Sequence, residues 1–216
     1  MTLRPQPTDL ELAALISSKI CHDVINPVGA INNGLEILDE DGDGDSQKYA
    51  LEMIRNVTAQ ASARLQFARY AFGAAGSAGA TIDLGMAKEV ACLFVTPEVK
   101  AKHKLVWVGP PGTMAKDKVK LLLNMIAVAM TALPRGGEIT ATISGQLDKP
   151  SFSLRCKGTS ARPPQYLADF CAGGEPPLDS MSIQSYYTWR LAQGQRMALT
   201  ITKVADDVMM TAAQAV

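Results

Sequence analysis

A chain of 216 residues, 47% of them hydrophobic, is long enough for one or two domains with real cores and too apolar for a disordered segment. Its 21 basic residues balance 21 acidic ones, which leaves no global field to gather nucleic acid or an anionic membrane, so any partner must be recognised locally. The start of the chain mixes Arg4, Asp9 and Glu11 and has no cleavable apolar core. The longest apolar run, Leu121 to Leu133, contains Asn124 and is too short to span a bilayer, which together read as a cytoplasmic protein. Cys21, Cys92, Cys156 and Cys171 match neither zinc-knuckle nor redox spacing and read as small buried or half-buried residues, with no metal site among them.

From Thr8 the pattern is helical, with Thr8 or Asp9 as N-cap and apolar residues at Ala13, Ile16, Ile20, Val24, Val28, Ile31, Leu35 and Leu38. The helix is predicted to run to about Asp39, where two glycines and a block of aspartates break it. That block lacks the length, glycine placement and terminal Glu of an EF-hand loop, and reads as a solvated hairpin turn. Ser46 is then expected to cap a second helix with apolar positions at Leu51, Ile54, Val57, Ala61, Leu65 and Ala68, ending before Gly73. Two long helices joined by a short turn make an antiparallel hairpin whose seam needs a partner. The economical solution is a second copy of the chain, closing a symmetric four-helix bundle; the alternative is packing on the rest of the same chain.

The segment Gly73 to Ala80 is poor in side chains and marks a boundary, giving a helical-hairpin unit over 1–75 and a second unit over 81–216. The second unit is expected to hold a helix from about Leu84 to Ala101, a strand from Leu105 to Val108, a Pro110-Pro111-Gly112 turn and a helix from about Lys116 to Leu133. Strands follow at Glu138 to Ser144 and Ser151 to Cys156, helices near Pro164 to Cys171 and Ser182 to Gln193, and strands at Met197 to Lys203 and Val208 to Ala212. The fold class is therefore α+β, with helices on one face of a mixed, mainly antiparallel sheet.

The residues that carry chemistry sit on the first helix. If Ile20 and Val24 point into the bundle, His22 lies roughly 200° around from Ile20 and faces outward. Pro27 lacks an amide hydrogen, so the turn after His22 is loosened and the Asp23 carbonyl freed, while Gly29 and Ala30 keep the approach low. A neutral imidazole is nucleophilic near neutral pH when its other nitrogen is held by a hydrogen bond, which Asp23 or Asn26 can supply. The plainer alternative is a surface histidine on a kinked helix. His103, among lysines before a strand, reads as solvated.

The stretch His22-Asp23-Val24-Ile25-Asn26-Pro27-Val28 resembles the H-box of histidine kinases, and the hairpin followed by an α+β unit resembles their dimerisation and phosphoacceptor domain followed by a Bergerat-like ATP-binding domain. The departures lie in that second unit. Leu121 to Ala129 resembles the helix that carries the family's magnesium-binding asparagine, but that position falls on Val128. The adenine-reading aspartate loop is replaced by Cys156-Lys157-Gly158-Thr159-Ser160, and bulky residues from Asp179 to Tyr186 stand where glycines would cradle phosphate.

A phosphoacceptor histidine without a kinase site is similar to the alphaproteobacterial histidine phosphotransferases. That resemblance implies His22, with Asp23 and Asn26, passing a phosphoryl group between receiver-domain aspartates, from a hybrid kinase receiver to response regulators of cell-cycle control. It implies a homodimer that needs no cofactor of its own, since the receiver supplies its magnesium. Hairpin arithmetic places His22 opposite Arg64 and Leu65, and suggests a docking face of Asn26, Gly29, Asn33, Ile37, Arg55, Gln60 and Arg64. Rival readings are an ATP-using histidine kinase with an unusual nucleotide site, a non-catalytic dimeric receiver-binding adaptor, and a kinase-like switch protein that binds a sigma factor.

Overall fold

The computed structural model describes residues 6–40, 43–73, 79–97 and 101–215. Helix α1 (Asp9–Asp39) opens on a capping box, in which the Thr8 hydroxyl accepts from the Glu11 amide and the Glu11 carboxylate accepts from the Thr8 amide. Helix α2 (Gly44–Ala71) is capped by Asp43, whose carboxylate accepts from the Ser46 amide at 2.9 Å. Ser46 therefore sits inside the first turn and is not the cap expected of it. The two helices run antiparallel along most of their length. They approach closely at the buried Gly34, where an added Cβ would stand 2.6 Å from Ile54 Cγ1.

The apolar positions expected to form one seam divide between two faces. Ile16, Ile20, Val24, Ile31 and Leu38 of α1 are half-buried, on the face that holds the buried Pro27 and Gly34. Val28 and Leu35, together with Ile25, remain exposed, as do Leu51 and Leu65 of α2. A long apolar strip on the hairpin thus has no partner within the described residues.

The remainder is α+β. Strand β1 (Thr81–Asp83) leads into helix α3 (Leu84–Val95), followed by β2 (His103–Val108), β3 (Thr113–Ala115), helix α4 (Lys116–Thr131), β4 (Gly137–Gln146) and β5 (Lys149–Lys157). Helices α5 (Gln165–Cys171) and α6 (Ile183–Gly194) then precede β6 (Met197–Val204) and β7 (Asp207–Gln214). The main sheet has the order β2-β4-β5-β7-β6, with β2 parallel to β4 and every other pairing antiparallel; β1 and β3 form a separate two-stranded ladder. The parallel pair is joined by the crossover through α4, the connection that parallel strands require.

Inward residues alternate along the strands: Ile139, Ala141 and Ile143 on β4, Phe152, Leu154 and Cys156 on β5, and Val208, Met210 and Ala212 on β7. Helix α4 is buried on nearly every side, Val119, Leu121, Leu122, Leu123, Met125 and Ile126 all being fully enclosed, because it lies between the sheet and the other helices. The Gly136-Gly137 turn admits two backbones at once: a Cβ on Gly137, at φ +145°, would meet the Lys157 carbonyl at 2.3 Å.

Several expectations are corrected. Helix α3 ends at Val95, well before Ala101, since Pro97 drives Thr96 out of the helical region to φ −126°, ψ 67°. Strands β1 and β3, three residues each, are too short to show a period in the sequence. His103 is not solvated: its ring Nε2 lies 3.0 Å from the Leu133 carbonyl. Cys21 and Cys171 are exposed; Cys92 is half-buried and Cys156 buried. The Gly73 to Ala80 linker expectation falls largely on residues 74–78, outside the described set, as do residues 41–42 of the acidic turn.

The hairpin is seated on the second unit by its lower end. Phe67 and Ala71 of α2 belong to the same buried core as α3 and α4, and the Phe67 ring stacks on Phe94 with centroids 3.7 Å apart. At the start of α1, Leu12, Leu15 and Ile16 pack against Phe170, Ile183 and Tyr186.

Candidate phosphoacceptor site

His22 stands on the outer face of α1 with 70% of its side chain exposed. The backbone beneath it is ordered by two interactions, one along the helix and one across the hairpin. Along the helix, Lys19 pairs with Asp23 Oδ2, one turn apart, leaving Asp23 Oδ1 3.7 Å from His22 Nδ1. Across the hairpin, the Arg64 guanidinium donates from Nη1 to the Asp23 carbonyl at 2.6 Å. That carbonyl is the one for which Pro27, buried inside an otherwise continuous helix, offers no amide. With Nδ1 turned to a carboxylate, Nε2 is the nitrogen left to solvent. Below this turn is a narrow cleft lined by Ile20, Val24, Arg64, Phe67, Phe94 and Gln184.

Of the other residues singled out on the hairpin, Asn26, Gly29, Asn33 and Arg55 are exposed, whereas Ile37, Gln60 and Arg64 are half-buried. An added Cβ on Gly29 would meet nothing within 4 Å, so the surface one turn from Asn26 is low and open. Asp23 is the charged group facing the histidine ring; Asn26 lies further toward the turn of the hairpin.

In the second unit, the positions that resemble a nucleotide site are occupied by the chain's own side chains. Asn124 of α4 is fully buried and its amide donates to the Ala71 carbonyl at 2.9 Å and the Lys120 carbonyl at 2.8 Å. Its Oδ1 accepts from Gln184. Val128 is 1% exposed. Cys156 is wholly enclosed within β5, and burial pushes its thiol up to about 12. From Asp179 to Tyr186, Ser182 is fully buried and its hydroxyl donates to the Pro177 carbonyl, while Asp179 accepts from the Met181 and Ser182 amides. Those two amides hold the Asp179 carboxyl below its ordinary range. Ile183 and Tyr186 then anchor α6 against Phe170. This segment is a packed helix start in which the amides of Asp179, Met181, Ser182 and Ile183 already donate within the segment.

Sequence reasoning anticipated the outward direction of His22 and the freed Asp23 carbonyl. It missed the Lys19 pair, readable as an i, i+4 spacing, and the commitments of Asn124 and Gln184, which join residues 60 positions apart. Among the described residues no group of three or more His, Cys, Asp or Glu side chains can hold a metal ion, and no helix is long and apolar enough to cross a membrane.

An exposed helical histidine above an α+β unit is an arrangement that phosphotransfer chemistry can use, and comparison with known proteins gives the class and the family. Residues 84–207 match the histidine phosphotransferase C-terminal domain, and the chain belongs to the histidine phosphotransferase family. It is 43% identical over 214 residues to the protein phosphotransferase ChpT of Brucella abortus (strain 2308), a match covering 98% of this chain and 100% of that protein. A solved bacterial phosphotransferase structure is 40% identical and superposes with a TM-score of 0.87, over 98% of this chain and all of that one. The chain is accordingly a phosphotransferase of the phosphorelay type.

Proposed function

We propose that His22 Nε2 is the nucleophile of this phosphotransferase and relays a phosphoryl group between receiver-domain aspartates without binding ATP. The observation that carries the reading is the exposed His22 ring with Asp23 at Nδ1, set on a helical turn that Arg64 and Lys19 hold from two directions. In the forward step the Nε2 lone pair attacks the phosphorus of a receiver's acyl phosphate. The N–P bond forms, the P–O bond to the aspartate breaks, and the carboxylate leaves with the bonding electrons. The proton on Nδ1 stays, so the ring becomes cationic, and Asp23 stabilises that charge. Return of the phosphoryl group to a second receiver is the same step in reverse. Because the transition state is loose, in-line presentation does most of the work, and the receiver brings the magnesium ion.

The partners on this reading are the receiver of a hybrid kinase as donor and response regulators as acceptors, all in the cytoplasm. They dock over Asn26, Gly29, Asn33, Ile37, Arg55 and Gln60, where the open surface at Gly29 favours close approach. The unpartnered strip of Ile25, Val28, Leu35, Leu51 and Leu65 supports a homodimer, closing a four-helix bundle with a histidine on each side. Val128 at the magnesium position and the fully engaged Asn124 amide support a second unit that braces the hairpin and binds no nucleotide.

The test is to offer the purified chain either ATP or a phosphorylated receiver. Acid-labile, base-stable label is expected from the receiver alone and none is expected on His22→Ala. Label from ATP would make the chain a kinase; receiver binding with no label would make it an adaptor.

A further inference from the structure

Arg64 was expected at the docking face, yet its guanidinium is half-buried between α1 and α2 and spends a donor on the Asp23 carbonyl. That carbonyl has no helical donor, because the residue one turn on is Pro27. Asp23 is also the residue whose carboxylate stands between Lys19 and His22 Nδ1. Among the described residues no carboxylate pairs with Arg64, so its charged fork is committed to a backbone atom.

We propose that Arg64 is a positioning residue for His22, supplying from α2 the hydrogen bond that Pro27 withholds, and thereby fixing the Asp23 turn that orients the imidazole. The proposal rests on the reading of His22 as the phosphoacceptor. The helix alone cannot hold this turn. Rotation or fraying there would move the Asp23 carboxylate away from Nδ1 and change which ring nitrogen carries the proton. Arg64 lines one narrow cleft with Ile20, Val24, Phe67 and Phe94, and from there its planar fork reaches the carbonyl.

The experiment is a double-mutant cycle on single-turnover transfer from a phosphorylated receiver, measured across receiver concentrations, with Arg64→Ala, Pro27→Ala and the double variant, each checked for fold by circular dichroism. In the Pro27 background, Arg64→Ala is expected to lower the maximal transfer rate by about tenfold, with the half-saturating receiver concentration changed by less than about twofold. In the Pro27→Ala background residue 27 has an amide to give the Asp23 carbonyl, and the same Arg64 change is expected to cost less than about threefold. Arg64→Lys, which can still place one donor on that carbonyl, is expected to recover part of the rate.

A raised half-saturating concentration with an unchanged maximal rate would make Arg64 a docking contact and overturn the proposal. So would an Arg64 effect of equal size in both backgrounds, since then the freed carbonyl is irrelevant. If Arg64→Ala fails to fold while the double variant folds, the coupling through that carbonyl is supported directly. A wild-type chain that takes no label overturns the reading of His22 itself, an outcome distinct from either Arg64 result.

Discussion

Removing the Asn124 side chain tests how the two units are joined. Asn124 is fully buried in α4, and its amide is the donor for Ala71 O, at the carboxyl end of α2, while its Oδ1 receives the Gln184 amide. Asn124→Ala takes from the enclosed Ala71 carbonyl its side-chain donor, and among the described residues no other group bonds to it; the Lys120 carbonyl is one turn back and keeps its helical amide. Gln184 is half-buried and can recover one bond from water. One stranded carbonyl at about 1–3 kcal/mol and one weakened amide give a loss of about 2–4 kcal/mol, a large part of the 5–15 kcal/mol typical of a domain. Urea unfolding at neutral pH measures it, and hydrogen exchange should show protection lost first in the last turn of α2. Asn124→Asp separates pairing from packing. Its carboxylate has the Ala71 carbonyl opposite and little solvent, so its folded pKa lies above the unfolded value of about 3.9. The stability of that variant is therefore fully present below the unfolded value and is lost as pH rises through the folded one. A loss below about 0.5 kcal/mol for Asn124→Ala, the range of an ordinary surface change, would refute the reasoning.

Four further outcomes follow from the geometry. Gly34→Ala drives a methyl group to 2.6 Å from Ile54 and should cost about 1–3 kcal/mol, whereas Gly29→Ala meets open space and should gain up to about 1 kcal/mol; thermal melts of the pair check both signs. If the exposed strip closes the proposed homodimer, the parent chain should sediment as a dimer, and replacing Ile25 and Leu35 together by Glu should leave a folded monomer at the same concentration. At pH 8 a thiol reagent should modify the exposed Cys21 and Cys171 in the native protein and reach Cys156 only after unfolding, as read by mass spectrometry. Because burial raises the Cys156 thiol from 9.0 to about 12, its stabilising contribution is complete below pH 9 and is lost as pH rises toward 12; Cys156→Ala should flatten that alkaline decline.

The hairpin was legible because its period runs unbroken for about thirty residues between strong signals, a Thr8 capping box and an acidic turn with glycines. The direction of His22 followed from the same period. What the period cannot separate is two apolar faces on one helix. Val24 and Val28 are one turn apart, yet one is half-buried toward α2 and the other exposed, a distinction made by which flank the partner helix occupies. The ends of α2 and α3 were misplaced for local reasons, a carboxylate at Asp43 outcompeting Ser46 as cap and Pro97 acting on the residue before it. Asn124 was legible only as an odd polar residue in an apolar run. Its partners, Ala71 and Gln184, are set by tertiary packing across 53 and 60 positions, which no local pattern encodes. The Arg64 contact lay between, since hairpin arithmetic placed Arg64 opposite the site and Pro27 announced a free carbonyl.

The most direct test is to locate the phosphoryl group itself. After transfer from a phosphorylated receiver, neutral-pH tandem mass spectrometry and phosphorus NMR should place a single phosphoramidate on Nε2 of His22, and addition of a second, unphosphorylated receiver should discharge it. A phosphoryl group on Nδ1, on any other residue, or persisting in the His22→Ala chain would contradict the account.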